Sequence, residues 1–341
     1  MHTTTSAPDH DLSGGGMPEP AEPEERTPGQ RSDADEIRRG GLYGFGAYLI
    51  WGAFPLYFHA LIPATAFEIL AHRIAWTFVL CLAILVVRRD LAWLRPLARR
   101  RRMVAGIAVA AVLVAINWVV YVAAVVGGNV TEAALGYFLN PIVTVALGVL
   151  VLGERLRPLQ WVAVGVGLAA GVYLSVAGGR VPWIALTLAF SFAGYGLAKK
   201  RIGATLPALH GLTAETIVLS PVAVGVIIWL GVTGRQTFTT DAPLHPFLLV
   251  LGGALTALPL ILFAAAARRV PLVTIGLLQF ITPILQLLCG VLLLGEHMSP
   301  ERWVGFGIVW VALVLLTVDS LVARPRRDRG ALLAEPEPYP G

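Results

Sequence analysis

Ten stretches of about 20 mostly apolar residues punctuate the chain, and they constrain its fold more than any other feature. They cover Gly41–Ala60, Ala66–Val87, Met103–Val126, Thr131–Leu152, Leu159–Ala177, Pro182–Lys199, Ala208–Val232, Pro246–Ala267, Pro271–Leu294 and Glu301–Ser320. Each is long enough to cross a bilayer as a helix. Composition agrees: 14% of residues are charged, against about 25% in soluble domains, too few to cover a water-facing surface. The pattern predicts an all-α membrane protein with ten transmembrane helices. Most connections are short. The exceptions are the loops around Arg88–Arg102 and Thr233–His245.

The lysines and arginines orient these helices. With the N-terminus in the cytoplasm, 22 of the 26 basic residues fall on the cytoplasmic side. Arg88, Arg89, Arg95 and Arg99–Arg102 form the densest group. Arg180, Arg235 and Arg302 fall outside, and Arg73 lies within a helix. The predicted arrangement is a multi-pass protein of a bacterial plasma membrane with both termini cytoplasmic. The basic balance is thus a topology signal, and no nucleic-acid partner is expected. The cluster Arg99–Arg102 is suited to anionic lipid headgroups.

The chain also resembles itself at an offset of 142 residues. Phe138, Pro141, Ile142, Gly148, Leu152, Gly153, Glu154, Pro158, Trp161 and Gly165 recur without a gap. Their counterparts are Phe280, Pro283, Ile284, Gly290, Leu294, Gly295, Glu296, Pro300, Trp303 and Gly307. Apolar bias alone would not align proline, glutamate and tryptophan. Each copy reads as a tight helical hairpin. Its glycine suits a left-handed helix end, and its proline suits the first turn of the next helix. Its glutamate is placed to face that next helix's N-terminal dipole. Residues 41–178 and 182–320 are therefore two copies of a five-helix unit. An odd helix count inverts the second copy, an arrangement recurrent in transporters that bind substrate near the midplane.

Residues 1–40 are rich in Pro, Gly, Ser, Thr and Glu and are predicted to be disordered. They lack the features of a secretory signal, so the first helix is expected to remain as an anchor. Residues 321–341 form a basic, then acidic, tail. Cys81 and Cys289 both lie in apolar runs and read as small packing residues. No phosphate-binding loop and no His-Glu-x-x-His pair occurs. No cofactor, metal or catalytic residue is expected.

Ionisable groups within a bilayer are costly unless paired or hydrated, so they are the first site candidates. Glu68 and His72 are one turn apart on one helix face, and Arg73 follows. They suit an ion pair and proton relay; equally, Glu68 suits the interface and Arg73 a structural pair. Glu132 is placed either to pair with Arg73 or to sit as an N-terminal helix charge. Glu215 lies about two turns into its helix and needs water or a partner. Asn117, Trp118, Tyr121, Tyr137 and Asn140 form a polar-aromatic set, complemented by Tyr195, Gln279 and Thr282. Singly, such amides more often tie helices together; together they suggest a binding cavity. Pro55, Pro141, Pro221, Pro259 and Pro283 can bend helices.

Several of these segments resemble a known family. Glu68-Ile-Leu-Ala-His72-Arg73-Ile-Ala-Trp76, Asn117-Trp118, Glu132 to Pro141, Leu152-Gly153-Glu154-Arg155 and Ala189 to Leu197 are similar to the RarD branch of the EamA-type drug/metabolite transporters. The resemblance covers about residues 40–320. It implies ten helices in two EamA-like repeats, a plasma-membrane location and a transport role without catalysis. Members are commonly labelled chloramphenicol-sensitive or chloramphenicol-resistance permeases, a label that names no natural substrate. The acidic N-terminal tail departs from the family pattern. The expected function is secondary transport of a small organic metabolite or drug, outward, driven by a proton, another ion or exchange. A membrane scaffold or sensor that moves nothing is the alternative.

Overall fold

The computed structural model describes residues 28–153, 155–202, 206–239 and 243–322. Residues 1–27, the tail beyond 322 and Glu154 lie outside them. The helices are α1 (Pro28–His59), α2 (Ala66–Val87), α3 (Leu94–Arg99), α4 (Arg101–Val126), α5 (Val130–Leu152) and α6 (Pro158–Ala177). They continue with α7 (Trp183–Ile202), α8 (Ala208–Val232), α9 (Leu244–Ala267), α10 (Leu272–Leu278), α11 (Ile281–Leu288) and α12 (Pro300–Val322). No strand occurs among the described residues.

Eight helical spans are long and apolar enough to cross a membrane: α2, α4, α5, α6, α8, α9, Thr274–Leu293 and α12. Two predicted stretches, those in α1 and α7, fall short of that hydropathy. In α7, Ile184, Ala185, Leu188, Ala189, Ser191 and Ala193 are buried between α4 and α5. A helix enclosed by protein needs less apolar character than one bathed in lipid. The surface is apolar, with Val87, Leu150 and Val232 about four-fifths exposed, while Glu68, Arg73, Asn117 and Glu215 are buried. A water-soluble fold would reverse that distribution.

Three predicted boundaries change. Helix α1 begins at Pro28, not residue 41, and its polar start is held where Arg269 Nε donates to Glu36 at 3.0 Å. The loop around Arg88–Arg102 contains the short helix α3. The stretch Pro271–Leu294 is broken into α10, α11 and a π-turn at Cys289–Leu293. Pro283 lacks an N–H and its ring crowds the carbonyl four residues back, at Gln279, where α10 ends. By contrast α1, α5, α8 and α9 continue through their prolines.

The hairpin residues follow their predicted geometry in part. Gly153 and Gly295 have φ of +67° and +69°, and Pro158 and Pro300 begin α6 and α12. Glu296 does not cap the helix that follows it. Its carboxylate instead accepts from the backbone N–H groups of Val130, and of Thr131 at 2.8 Å, across the repeats at the start of α5. Those first-turn donors have no intrahelical acceptor, so a carboxylate brought to them by tertiary packing satisfies two at once.

Helix packing is reciprocal between the halves. α7 packs on α4 and α5, while α1 packs on α9 and on α11. Between these lie α2 against α8 and α6 against α12. Polar ties gather at two ends of the bundle. One end joins Glu68 to Thr237, Glu132 to Arg180 and Ile184, and Glu296 to α5. The other joins Glu36 to Arg269, Asp90 to His210, and Arg157 to Asp319.

Candidate functional site

Arg73 is the centre of the polar interior. It is 5% exposed on α2. Its guanidinium carbon lies 4.3 Å from the ring centroid of Trp118, 5.3 Å from that of Phe54 and 5.6 Å from that of Phe58. A desolvated cation over an aromatic face gains about 2 kcal/mol, which offsets part of the cost of burying the charge. Nε donates to Thr256 Oγ1 at 2.7 Å, and that hydroxyl donates to the Gly252 carbonyl at 2.7 Å. Nη1 is buried without a hydrogen-bond partner among the described residues.

The glycines of α9 explain how Thr256 reaches Arg73. A Cβ on Gly253 would stand 2.5 Å from the Trp76 carbonyl carbon and 2.8 Å from the Thr77 nitrogen. Only glycine lets the two backbones approach this closely. The close approach sets Thr256, one turn along α9, against the α2 face that carries Arg73.

Aromatic residues continue inward from the arginine. Phe58 stands 5.8 Å from Tyr121, and Tyr121 5.5 Å from Tyr137, both edge-on. Tyr57, Tyr121 and Tyr137 all lie within electrostatic range of the guanidinium. The Tyr57 hydroxyl donates to the Leu248 carbonyl at 2.8 Å. The Tyr121 hydroxyl lies beside Gln286, and both it and Gln286 Oε1 are buried with no further partner among the described residues. Gln286 Nε2 donates to the Trp51 carbonyl at 3.3 Å. The set thus draws on α1, α2, α4 and α5 of the first repeat and on α9 and α11 of the second.

Other predicted residues divide into separate groups. Asn117 is consumed by helix ties: Nδ2 donates to the Leu188 carbonyl and to Ser191 Oγ, and Oδ1 accepts from Tyr137 at 3.1 Å. Glu132 does not pair with Arg73. It accepts from Arg180 at 3.1 Å and from the Ile184 N–H at 3.2 Å, joining α5 to the start of α7. Among the described residues no ion pair joins Glu68, His72 and Arg73, and Glu68 Oε2 and His72 Nδ1 are both buried without a partner. Glu68 Oε1 accepts from the Thr237 N–H at 2.6 Å, and His72 stacks on Phe238 at 4.9 Å. Consecutive residues on a helix diverge by about 100°, so His72 faces the 233–239 segment while Arg73 faces the core.

Glu215 finds its partner on α7. Lys199 Nζ donates to it at 2.6 Å, and the Tyr195 hydroxyl approaches both oxygens at 3.3 and 3.4 Å. Asn140 accepts from Thr144 at 3.4 Å, and Thr282 donates to the Tyr48 carbonyl at 2.9 Å. Gln279 sits half-buried at the break between α10 and α11 and joins none of these groups. A groove of about 720 Å³ lies elsewhere, among Arg100, Arg102, Gly106, Leu147, Gly194 and Leu197, and includes no predicted site residue.

Thr256, Phe54, Phe58, Tyr57, Gln286 and Lys199 were not singled out by sequence. Gln286 carried a usable signal, a lone amide within an apolar run. The partners of Arg73 did not, because Thr256 is 183 residues away. No cluster of metal-ligating residues occurs among the described residues.

Comparison with known proteins accords with this architecture. The profile of the EamA-like transporter family matches twice, at residues 38–177 and 181–318. The chain belongs to the EamA-like transporter family. Within it, the chain is of the RarD type. It is 50% identical over 301 residues to Protein RarD of Streptomyces exfoliatus, covering 88% of this chain and 94% of that one. It is 41% identical to the Uncharacterized transporter YojE of Bacillus subtilis, strain 168, over 84% of this chain and 96% of the relative. Protein RarD of Escherichia coli K12 is 36% identical over 87% of this chain and its own whole length. A crystal structure shares the fold with a TM-score of 0.54 at 18% identity, covering 82% of this chain and 97% of that one. The chain is thus a multi-pass membrane protein of a bacterial-type transporter family.

Proposed function

We propose that this chain is a secondary transporter that exports a small organic metabolite or drug from a bacterial cell by alternating access. Ten spans form two inverted five-helix halves in the plasma membrane, with both termini in the cytoplasm. Flux is driven by a proton, another ion or exchange. The observation that carries the reading is the Arg73 set. A buried cation, six aromatic rings and an amide converge where α1, α2, α4 and α5 meet α9 and α11. A polar patch between repeats is where such architectures bind substrate.

Reciprocal helix packing supports two interchangeable arrangements of the halves, as alternating access requires. The Glu296 hairpin ties to the start of α5, whereas Arg157, just beyond the other end of α5, ties to Asp319. That separation supports inversion. Glu68, His72, Arg73, Asn117, Trp118, Tyr121, Glu132, Tyr137, Asn140, Tyr195, Glu215 and Gln279 are the residues proposed to line or couple the path; the Arg73 set binds and the Glu215–Lys199 pair gates.

The test compares metabolites in cells and medium for strains with the native chain, with Arg73→Ala and without the chain. Export predicts at least one organic solute depleted in cells and enriched in medium only with the native chain. Identical metabolite profiles in all three strains would sink the reading and favour a scaffold or sensor.

A further inference from the structure

We propose that the Arg73 set is a receptor for a small organic monoanion, a carboxylate on an aromatic or flat apolar body. The inference rests on the transport reading only in taking this set as the binding site. Among the described residues the guanidinium has one hydrogen-bond acceptor, the neutral hydroxyl of Thr256. Nη1 has none. The other buried carboxylates are not placed to neutralise it: Glu132 holds Arg180, Glu215 holds Lys199 and Asp319 holds Arg157, while Glu68 accepts the Thr237 N–H with one oxygen and keeps the other, Oε2, buried without a partner among the described residues. Among the described residues no carboxylate forms an ion pair with Arg73. A buried charge is ordinarily paired, and here the protein leaves the opposite charge to be supplied.

The surroundings select the body of the ligand. Trp118, Phe54 and Phe58 surround the cation, and Tyr121 and Tyr137 extend the aromatic wall. Arg73 Nη1 is a buried donor without an acceptor among the described residues, whereas the Tyr121 hydroxyl has Gln286 beside it, whose Oε1 is also unpartnered. A carboxylate has two oxygens and takes charge-assisted hydrogen bonds at about 2.7–2.9 Å. It would supply Nη1 with the acceptor it lacks, while its ring stacks on the aromatic wall. A cationic solute would meet like charge in a low-dielectric site and be rejected. A neutral amide would leave the guanidinium's charge uncompensated.

A purely structural arginine, riveting α2 to α9, predicts no such discrimination. The test uses the purified full chain in detergent at matched ionic strength, with thermal unfolding as the readout. The probes are benzoate and phenylacetate, their amides, and phenethylamine, against the native chain, Arg73→Lys and Arg73→Gln. At least one acid is expected to raise the unfolding midpoint saturably, by 2 °C or more on the order expected for ligand linkage. The amides and the amine should not. Arg73→Gln should abolish the effect. Arg73→Lys should retain it at roughly tenfold weaker affinity, because an ammonium lacks the planar fork.

If Arg73→Gln does not fold, the acid-against-amide contrast in the native chain and the weakening in Arg73→Lys decide the matter. Equal responses to acids and amides would overturn the proposal. So would an acid response that survives Arg73→Gln, or no saturable response to either acid. The two readings fail separately. Export of neutral solutes that survives Arg73→Gln would leave transport standing and remove the anion receptor. Saturable, Arg73-dependent acid binding without any flux would do the reverse.

Discussion

Glu215 shows how a membrane interior treats a carboxylate. It is 4% exposed, and its neighbours in sequence offer no charge. Lys199 supplies the partner from α7, with an ammonium 2.6 Å away and stacked 5.5 Å from the Tyr195 ring. The lysine is 41% exposed, so solvent screens the attraction and the pair contributes less than a fully buried one. Removing the lysine is the asymmetric injury, because it leaves a buried carboxylate with only a tyrosine. Lys199→Met is expected to destabilise by roughly 1–3 kcal/mol. The double variant Lys199→Met/Glu215→Met should recover most of that loss, since no buried charge remains. Urea or thermal unfolding of the three proteins in detergent measures it. A double variant less stable than Lys199→Met would refute this account. The same asymmetry decides what could be read at this scale. That Arg73 and Glu215 are special was legible, because each is an ionisable group inside an apolar run. Their partners were not, because pairing across α2–α9 or α7–α8 is set by tertiary approach, as at Gly253, and not by spacing.

Elements were more legible than partners. Apolar runs of membrane length place α2, α4, α5, α6, α8, α9 and α12 to within a few residues, because lipid leaves the backbone little choice but helix. Three features escaped. The polar first turns of α1 are a helix continued beyond the apolar run. The amphipathic α3 is too short to register. The break at Gln279 depends on local backbone relief at Pro283, whereas the equivalent Pro141 sits within an uninterrupted α5. The hairpin glutamate was legible as a cap but not as a cap for another helix. Its true acceptor role places Glu296 on two first-turn N–H groups of α5. Glu296→Ala strips both of their acceptor and removes a negative charge from a helix N-terminus. The expected cost is about 1–2 kcal/mol. Amide exchange offers a sharper readout than global stability. Val130 and Thr131 should lose protection while α12, the helix that follows Glu296 in sequence, keeps its own. Loss confined to the start of α12 would restore the intrahairpin cap and reject the cross-repeat one.

At the scale of the whole molecule, the repeat turns local facts into geometry. If, as proposed, five helices per copy carry the chain across the membrane, equivalent points should emerge on opposite faces. The polar ties are arranged as that proposal requires. The Glu296 hairpin, the start of α5 and the start of α7 share one end, whereas Arg157 and the end of α12 share the other. The basic residues give the ends their sense, because the second end collects Arg157 and Arg269 beside the cluster that opens α4. Positive charge is retained on the cytoplasmic face, so we propose that the Glu296 end faces out. Cysteines placed singly at Ser299 and at Arg155 report this directly. The native Cys81 and Cys289 are buried and serve as a silent background. In intact cells a membrane-impermeant maleimide should label Ser299→Cys and spare Arg155→Cys until the membrane is opened. Labelling of both in intact cells, or of neither, would place the duplicated hairpins on one face. An alternating mechanism built on inverted halves would then have no symmetry to exchange, and the Arg73 set would be a core without two routes to it.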